Sequence, residues 1–182
     1  MAQNYNRVSV YSHDEFDEKM YRLGIDTFNV VEEKDKAFIS IIGTKECREY
    51  YLNEGDIQHW FKENTDNVIN LDFDDIDDDS VEWNGHTFYG ITEQQAKELC
   101  DFIENNIGKN FYIHCRAGKS RSQAVFSYIV NMYGEEYGYS EKYSGRKENP
   151  CLTPNVRVLS MLKREYYKKH NAHYWGHLFP CI

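Results

Sequence analysis

The sequence lacks any apolar run long enough to span a membrane. Its first residues, Met1 to Arg7, also lack the apolar core of a signal peptide, so we expect no secretory leader. The five cysteines are an odd number without framework spacing, which argues against a disulfide scaffold and favours a reducing compartment. We therefore expect a cytoplasmic protein.

An excess of positive charge is also lacking, because the formal net charge is -9. An acidic chain repels nucleic acids and anionic membranes at long range, and no polybasic tail or interfacial helix offsets this repulsion. We expect neither of these as a partner, and we expect a monomer. With no repeats and no linker, the 182 residues fit one domain, residues 1–182, whose 41% hydrophobic content can build a sizeable core.

Residue periodicity predicts alternating strands and helices. The predicted strands are Val8–Tyr11, Thr27–Val31, Ala37–Ile42, a central strand Val68–Leu71, and Asn110–His114. Helices are expected from the Ser12 cap to Leu23, as short segments within 44–64, and from Thr92 to Ile107 before a Gly108 cap. Two more are expected, one from Ser122 to Met132 before Gly134 and one from Thr153-Pro154 onwards. In the last of these helices, the buried residues are expected to be Val156, Leu159, Leu162 and Tyr166. This pattern predicts an α/β fold with a central, mostly parallel sheet flanked by helices.

The most informative segment is a short loop between a predicted strand and a predicted helix. It starts at His114-Cys115 and ends at Arg121-Ser122, with Arg116, Ala117, Gly118, Lys119 and Ser120 between the cysteine and the arginine. Backbone N–H groups and a helix N-terminus form an anion site in such a loop, and the same donors stabilise a thiolate. Arg121 can hold two phosphate oxygens through its planar fork, so the segment predicts covalent phosphoryl transfer.

This loop resembles the His-Cys-x-x-Gly-x-x-Arg-Ser signature of the cysteine-dependent protein tyrosine phosphatase superfamily, in its dual-specificity form. The resemblance covers roughly residues 37–167, and it implies the fold of these phosphatases and no metal or organic cofactor. It also implies that Cys115 is the nucleophile and that the N–H groups of 116–121, with the Arg121 side chain, bind phosphate. Ser122 is expected to hydrogen-bond the departing thiolate, and His114 to orient the loop and tune the thiolate.

A general acid is also required, because the leaving oxygen needs a proton. In the resembling family this acid is an aspartate on a loop after an earlier strand, here within residues 72–79. Phe73-Asp74-Asp75-Ile76 resembles the Phe-x-Asp-Ile turn of small dual-specificity-like phosphatases. We therefore expect Asp75 to be the acid and Asp74 to be the second candidate, while Asp72 ends the strand and the aspartates of 77–79 face solvent.

Other interpretations of these segments are weaker. The acidic run resembles the aspartate-nucleophile motif of haloacid-dehalogenase-type phosphatases, but its later elements are missing, and a calcium loop would need a central glycine. The tail residues His170, His173, His177 and Cys181 are metal-ligand types with loose spacing, so no metal site is expected. An RNA 5′-triphosphatase would carry different residues inside the loop.

The substrate is less sharply predicted. A phosphorylated protein or peptide, with phosphotyrosine first and phosphoserine or phosphothreonine after it, fits Ser120 and Ser122 in the loop. Arg116 and Lys119 occupy positions at which related phosphoinositide phosphatases carry lysines, so an inositol phosphate is the alternative substrate. A phosphate-binding pseudo-enzyme is another alternative. A thiol elsewhere in the chain could also form a protective disulfide with Cys115.

Overall fold

The computed structural model describes residues 6–51, 57–139 and 153–170. In chain order the described elements are β1 (Val8–Tyr11), α1 (His13–Leu23), β2 (Lys36–Ile42), α2 (Lys45–Tyr50), β3 (Val68–Asp72), β4 (Ser80–Trp83), β5 (His86–Tyr89), α3 (Glu93–Asn105), β6 (Asn110–His114), α4 (Arg121–Tyr137) and α5 (Val156–His170).

The central sheet has four strands in the order β1-β6-β2-β3, and all of its pairings are parallel. The predicted α/β class, with a parallel central sheet flanked by helices, is confirmed. The expectation that Val68–Leu71 is a central strand is wrong, because β3 lies at the edge. Val68, Ile69 and Leu71 are nevertheless buried, since both faces of this edge strand are covered, and the sequence of such a strand looks central.

Alternate residues along β2 of the central sheet enter two separate cores. Ala37, Ile39 and Ile41 of β2 pack in the larger core with α3, α4 and α5. Phe38 points to the opposite face, where it packs with α1. Ser40 belongs to this second face by alternation and is fully buried although it is polar. The two cores hold β6 and the loop that follows it in the middle of the molecule.

Two predicted helix starts are confirmed in detail. Ser12 and Glu15 form a capping box at the start of α1, and Thr92 and Gln95 form another at the start of α3. In each box the hydroxyl accepts the N–H three residues later, while the longer side chain accepts the N–H of the cap residue. Local sequence alone therefore determines where these helices begin.

The strand predicted at Thr27–Val31 is wrong. The segment forms turns that end in a short 3₁₀ helix, Val30–Glu32. The Asp26 carboxylate accepts the N–H groups of Phe28 and Asn29, and this local capping replaces strand pairing.

The predicted end of α4 at Gly134 is also wrong, because α4 continues to Tyr137 and ends at Gly138 in a left-handed conformation. A Cβ on Gly134 would lie 2.8 Å from the Tyr139 carbonyl oxygen. This glycine therefore allows a close approach of the chain rather than a helix end. Gly108, predicted as the cap of α3, lies beyond the observed cap at Asn106.

The start of α5 differs from the prediction by two residues. Asn155, not Thr153, caps the helix: its side-chain oxygen accepts the N–H of Val158, and its carbonyl accepts the N–H of Leu159. The buried stripe differs as well, because Val156 is 66% exposed. The buried residues of α5 are Val158, Met161, Leu162 and Glu165.

An antiparallel hairpin of β4 and β5 was not predicted from the sequence. Its turn is Asn84-Gly85, and both residues have positive φ, 50° and 78°. Asn-Gly between short alternating segments is the strongest local signal for such a turn, so the sequence did carry this information. None of the described helices is both long and apolar enough to cross a membrane.

Candidate active site

The loop 115–120 connects β6, in the middle of the sheet, to the first turn of α4. Gly118 has a φ of 65°, and a Cβ there would lie 2.6 Å from the backbone carbon of Tyr11. The N–H of His13 donates to the Arg116 carbonyl at 3.1 Å. The loop is thus seated directly on the junction of β1 and α1, which requires glycine at position 118.

Cys115 lies at the bottom of this loop and is 2% exposed. Its Sγ is 3.1 Å from the Ser122 Oγ, as expected for a serine that stabilises a thiolate. Burial alone raises the pKa of Cys115, but the Arg121 charge, the Ser122 hydroxyl and the backbone N–H groups of Ser122 and Ser120 outweigh it. The pKa of the thiol is therefore lowered, in the direction that favours a nucleophile.

Arg121 is 6% exposed. Its Nη1 donates to the Phe73 carbonyl oxygen at 2.6 Å, which fixes the guanidinium against the segment that follows β3. Its Nε is buried and has no hydrogen-bond partner among the described residues. A buried guanidinium N–H without a partner is costly, so the site is suited to an anion that accepts from it.

The two candidate acids have different environments. Asp74 is 2% exposed, and its carboxylate accepts from the Thr44 N–H, the Thr44 hydroxyl and the Tyr89 N–H. These bonds tie the α2 and β5 segments together, so Asp74, the second candidate, has a structural environment. Both aspartates line the same cavity as Cys115, but Asp75 is exposed. Its Oδ1 accepts from Ser120 at 2.7 Å and from Asn155 at 2.9 Å.

Asn155 is a site residue that the sequence analysis missed. It is buried, it donates to Asp75 and to the Ile76 carbonyl, and its own N–H donates to the Ser120 carbonyl. One residue at the start of α5 therefore joins the segment Asp75-Ile76 to the loop 115–120. Asparagine is a favoured helix cap, so the sequence could have shown its local role but not this long-range contact.

His114 lies behind the loop, fully buried on the α1 side of the sheet. Its Nε2 is 2.6 Å from the Ser40 Oγ, and the Phe16 ring packs on it at a centroid distance of 4.3 Å. Burial and the neighbouring His13 and His59 lower its pKa well below the usual value. The buried imidazole of His114 therefore favours the neutral form.

A cavity of about 440 Å³ opens above Cys115 and Arg121. One wall carries aromatic and apolar side chains; they belong to Tyr51, Val81, Trp83 and Phe88. The rim carries Arg116, Lys119, Ala117 and Ser120, so the structure brings all the predicted loop residues with side chains to one place. The Arg116 guanidinium lies 3.7 Å from the Asp14 carboxylate, while Lys119 is exposed.

The other cysteines differ in their surroundings. Cys47 lines the cavity. Cys100 is buried in the larger core, and burial raises its pKa to about 12. Cys151 and the tail residues His173, His177 and Cys181 lie outside the described residues. Within 6–51, 57–139 and 153–170, no group of three or more His, Cys, Asp or Glu residues is placed to hold a metal ion.

Comparison with known proteins found similarity to a curated sequence and to a solved structure. No family model matches the chain. The chain is 40% identical over 74 residues to the "Putative tyrosine-protein phosphatase AMV078" of Amsacta moorei entomopoxvirus, a match that covers 40% of this chain and 44% of that protein. Over that segment the chain is similar to a putative tyrosine-protein phosphatase.

The match spans less than half the length of that curated relative. Among solved structures, the chain is similar to the crystal structure of a human tyrosine phosphatase-like serine/threonine/tyrosine-interacting protein. That likeness has 21% identity and a TM-score of 0.39, and it covers 78% of this chain and 82% of the human chain.

Proposed function

We propose that the chain is a cysteine-dependent phosphatase that hydrolyses phosphomonoesters on proteins, phosphotyrosine above all. The observation that carries the proposal is the guanidinium of Arg121: this residue lines the same cavity as Cys115, and its buried Nε has no hydrogen-bond partner among the described residues. A dianionic phosphoryl group would accept from this N–H and from the loop N–H groups. The proposal is further supported by the lowered pKa of Cys115.

The proposed reaction has two steps. The Cys115 thiolate attacks phosphorus, an S–P bond forms, and the bond from phosphorus to the leaving oxygen breaks while Asp75 donates a proton to that oxygen. A water molecule then attacks the phosphorus of the phosphocysteine while Asp75 takes a proton from that water. The S–P bond breaks and releases inorganic phosphate and the thiolate. Ser122, 3.1 Å from the sulfur, stabilises that departing thiolate by donating to it.

In this proposal, the loop and Arg121 bind the phosphoryl group. The N–H groups of residues 116–121 and the guanidinium are the donors for the equatorial oxygens, which carry most of the charge in the transition state. Gly118 lets this backbone lie against β1. Ser120 holds Asp75 at the rim, so that the acid and the nucleophile lie on the same cavity.

The cavity favours an aryl phosphate. Cys115 is 2% exposed at its base, and the wall includes the rings of Tyr51, Trp83 and Phe88. A phosphotyrosine ring extends the phosphate farther from its backbone than a serine or threonine side chain does, and it can pack against aromatic rings. We further propose that the substrate is a soluble protein or peptide, that neither nucleic acid nor membrane takes part, and that the protein acts as a monomer in the cytoplasm without a cofactor.

An inositol phosphate is the second candidate substrate, because Arg116 and Lys119 both line the cavity and add positive charge at its rim. Arg116 already lies beside Asp14, which offsets part of this charge. A pseudo-enzyme that binds phosphate without turnover is the remaining alternative.

The test measures phosphate release from a phosphotyrosyl peptide, a phosphothreonyl peptide and a soluble inositol phosphate, with Cys115→Ser as the matched control. Turnover of the phosphotyrosyl peptide that is lost in Cys115→Ser is the expected result. Turnover of inositol phosphate alone would contradict the protein substrate. If wild type binds vanadate without turning over any phosphomonoester, the chain is a binding module.

A further inference from the structure

Strand β5 attaches the β4–β5 hairpin to two neighbouring segments of the fold. The N–H of Tyr89 donates to the Asp74 carboxylate at 2.7 Å, and the Tyr89 carbonyl accepts the Asp74 N–H at 2.6 Å. The ring of Tyr50 on α2 packs against the rings of Phe88 and His86, at centroid distances of 5.5 and 4.9 Å. The hairpin is thus held through β5, at the segment that follows β3 and at α2.

The two bonds of Tyr89 also determine which backbone groups of β4 point outward. Tyr89 is the register partner of Ser80, and both of its backbone groups are bonded to Asp74, so this pair exchanges no hydrogen bond across the hairpin. Bonded and non-bonded pairs alternate along an antiparallel ladder. Val81 therefore bonds across to β5, whereas Glu82, like Ser80, directs its N–H and carbonyl away from β5.

The outer edge of β4 is consequently open. Within the described part of the chain, β4 pairs with β5 alone, and no residue there bonds the outward N–H or carbonyl of Ser80 or Glu82. Both residues are exposed. Unpaired N–H and C=O groups along an exposed edge are a template on which an extended chain can add as a further strand.

This open edge adjoins the candidate active site. Val81 and Trp83 of β4 line the cavity that also holds Cys115. The residues with outward backbone groups alternate with them, so their own side chains lie on the opposite face of the hairpin. The side chains of an added strand alternate in the same way, and every second one would lie on the cavity side.

We propose that the β4 edge binds the main chain of the substrate as a third strand, which places a phosphotyrosine side chain on the cavity side beside Val81 and Trp83. The inference rests on the proposed function, because it takes a phosphorylated peptide as the molecule that enters the cavity. A peptide suits the edge better than a second copy of the chain does. Strand β4 has only four residues, so its edge bonds alone are weak, whereas a phosphopeptide also gains the contacts of its phosphoryl group with the loop and Arg121.

This mode of binding selects the conformation of the substrate more than its sequence. Main-chain hydrogen bonds do not depend on the side chains that flank the phosphotyrosine, so the edge recognises an extended segment. A phosphotyrosine within a helix has its backbone groups already bonded and cannot pair with β4. A small aryl phosphate has no main chain and gains nothing from the edge.

The test compares Glu82→Pro with its matched control, Glu82→Ala. Proline removes the outward N–H and puts its ring in the way of an added strand, yet an edge strand tolerates proline where the N–H faces solvent. Alanine removes the same charge and keeps the N–H. Glu82→Pro should lower kcat/KM for a phosphotyrosyl peptide about 2- to 10-fold, the effect of one lost hydrogen bond, and leave phenyl phosphate unchanged. Glu82→Ala should match wild type with both substrates.

A binding measurement without turnover separates this inference from the proposed function. Amide hydrogen exchange of Cys115→Ser is followed by NMR, alone, with the phosphotyrosyl peptide and with phenyl phosphate. The peptide should slow exchange at the N–H groups of Ser80 and Glu82, because they become bonded to the added strand. Phenyl phosphate should leave both exchange rates unchanged.

The outcomes distinguish the two proposals. Equal kcat/KM of Glu82→Pro and Glu82→Ala for the peptide, with no slowing of exchange, would overturn the edge site and leave the phosphatase in place. Slowed exchange in a chain whose wild type turns over no phosphomonoester would contradict the proposed function and leave the edge site in place. A wild-type dimer that Glu82→Pro dissociates would assign the edge to a second copy and overturn the proposal. If Glu82→Pro does not fold, the exchange experiment decides.

Discussion

At the scale of single residues, neighbouring aspartates have opposite environments although the sequence presents them as equivalent. The Asp74 carboxylate is saturated by three hydrogen bonds in a buried junction, whereas both recorded bonds to Asp75 use one oxygen at an exposed rim. Both aspartates line the cavity, so burial and hydrogen bonding distinguish them: the buried, fully bonded Asp74 suits a structural group, and the exposed, partly bonded Asp75 suits a proton donor.

Asp75→Asn is therefore expected to lower kcat for a phosphotyrosyl peptide by at least about 100-fold, since the leaving oxygen loses its proton donor. The loss should be smaller for an aryl phosphate with an acidic leaving group, which needs less protonation. The control is Asp78→Asn, a neighbouring exposed aspartate, with kcat near wild type. Equal kcat values for the two variants would rule out Asp75 as the acid.

At the scale of elements, the β4–β5 hairpin forms one wall of the cavity. Val81 and Trp83 line the cavity, and Glu82 between them does not, as the alternation of a strand requires. The Trp83 side chain is 62% exposed, so a large apolar surface faces solvent beside the cavity. The hairpin follows directly from the acid segment, so substrate contact and proton donation share one piece of chain.

Trp83→Ala should lower kcat/KM for a phosphotyrosyl peptide by about 2- to 10-fold, which corresponds to the free energy of one aromatic contact. The phosphothreonyl peptide should be affected less, because its side chain has no ring to pack. Glu82→Ala, on the other side of the same strand, should affect neither substrate. A Trp83→Ala loss that is equal for both peptides would contradict the role of the wall in specificity.

Asn155 at the start of α5 has two roles: its amide N–H donates to Asp75, and its side-chain oxygen caps the helix. Substitutions at this position can separate the two roles. Asn155→Asp keeps the oxygen that accepts the Val158 N–H but removes the amide that donates to Asp75. We expect kcat to fall while the melting temperature changes little. Asn155→Ala loses the cap as well, at a cost of about 1 kcal/mol in unfolding free energy. Unchanged kcat in Asn155→Asp would show that the amide does not position Asp75.

Elements with local signals were predicted well, and contacts between distant segments were not. The phosphate loop is one contiguous stretch, and the capping boxes of α1 and α3 lie within four residues, so sequence was sufficient for them. Asn155 contacts Asp75, a residue far from it in the chain, and only the fold brings the two together. The strand predicted at 27–31 failed because the Asp26 side chain competes locally for the backbone.

At the scale of the whole molecule, the candidate site affects stability. The pKa of His114 is lowered mainly by burial, and the pKa of Cys115 is lowered by Arg121 and Ser122 against the opposing effect of burial. In both cases the unfolded chain binds more protons than the folded chain, below 6.5 for the histidine and below 9.0 for the thiol. Stability should therefore rise with pH through these windows.

Urea unfolding of wild type from pH 5.5 to 8.5 is expected to show this rise, with a slope of up to about 1.4 kcal/mol per pH unit for each group. Cys115→Ser should flatten the curve at the alkaline side and keep the rise below pH 6.5, because serine does not titrate there. A Cys115→Ser curve parallel to wild type throughout would contradict a lowered thiol pKa.

The contact of the loop 115–120 with β1 and α1 also determines when the loop can form during folding. Within the sheet, β1 pairs with β6 and with no other described strand, and Val8 of β1 meets Phe111 of β6. On the ribosome, β1 emerges before β6 and must wait for the residues between them before its partner and the loop appear. Such distant pairing is slow to form, since a long loop must close before the contact is gained. Partly synthesised chains therefore hold no preformed phosphate site, and the edge strand and the reactive thiol become ordered in the same late event.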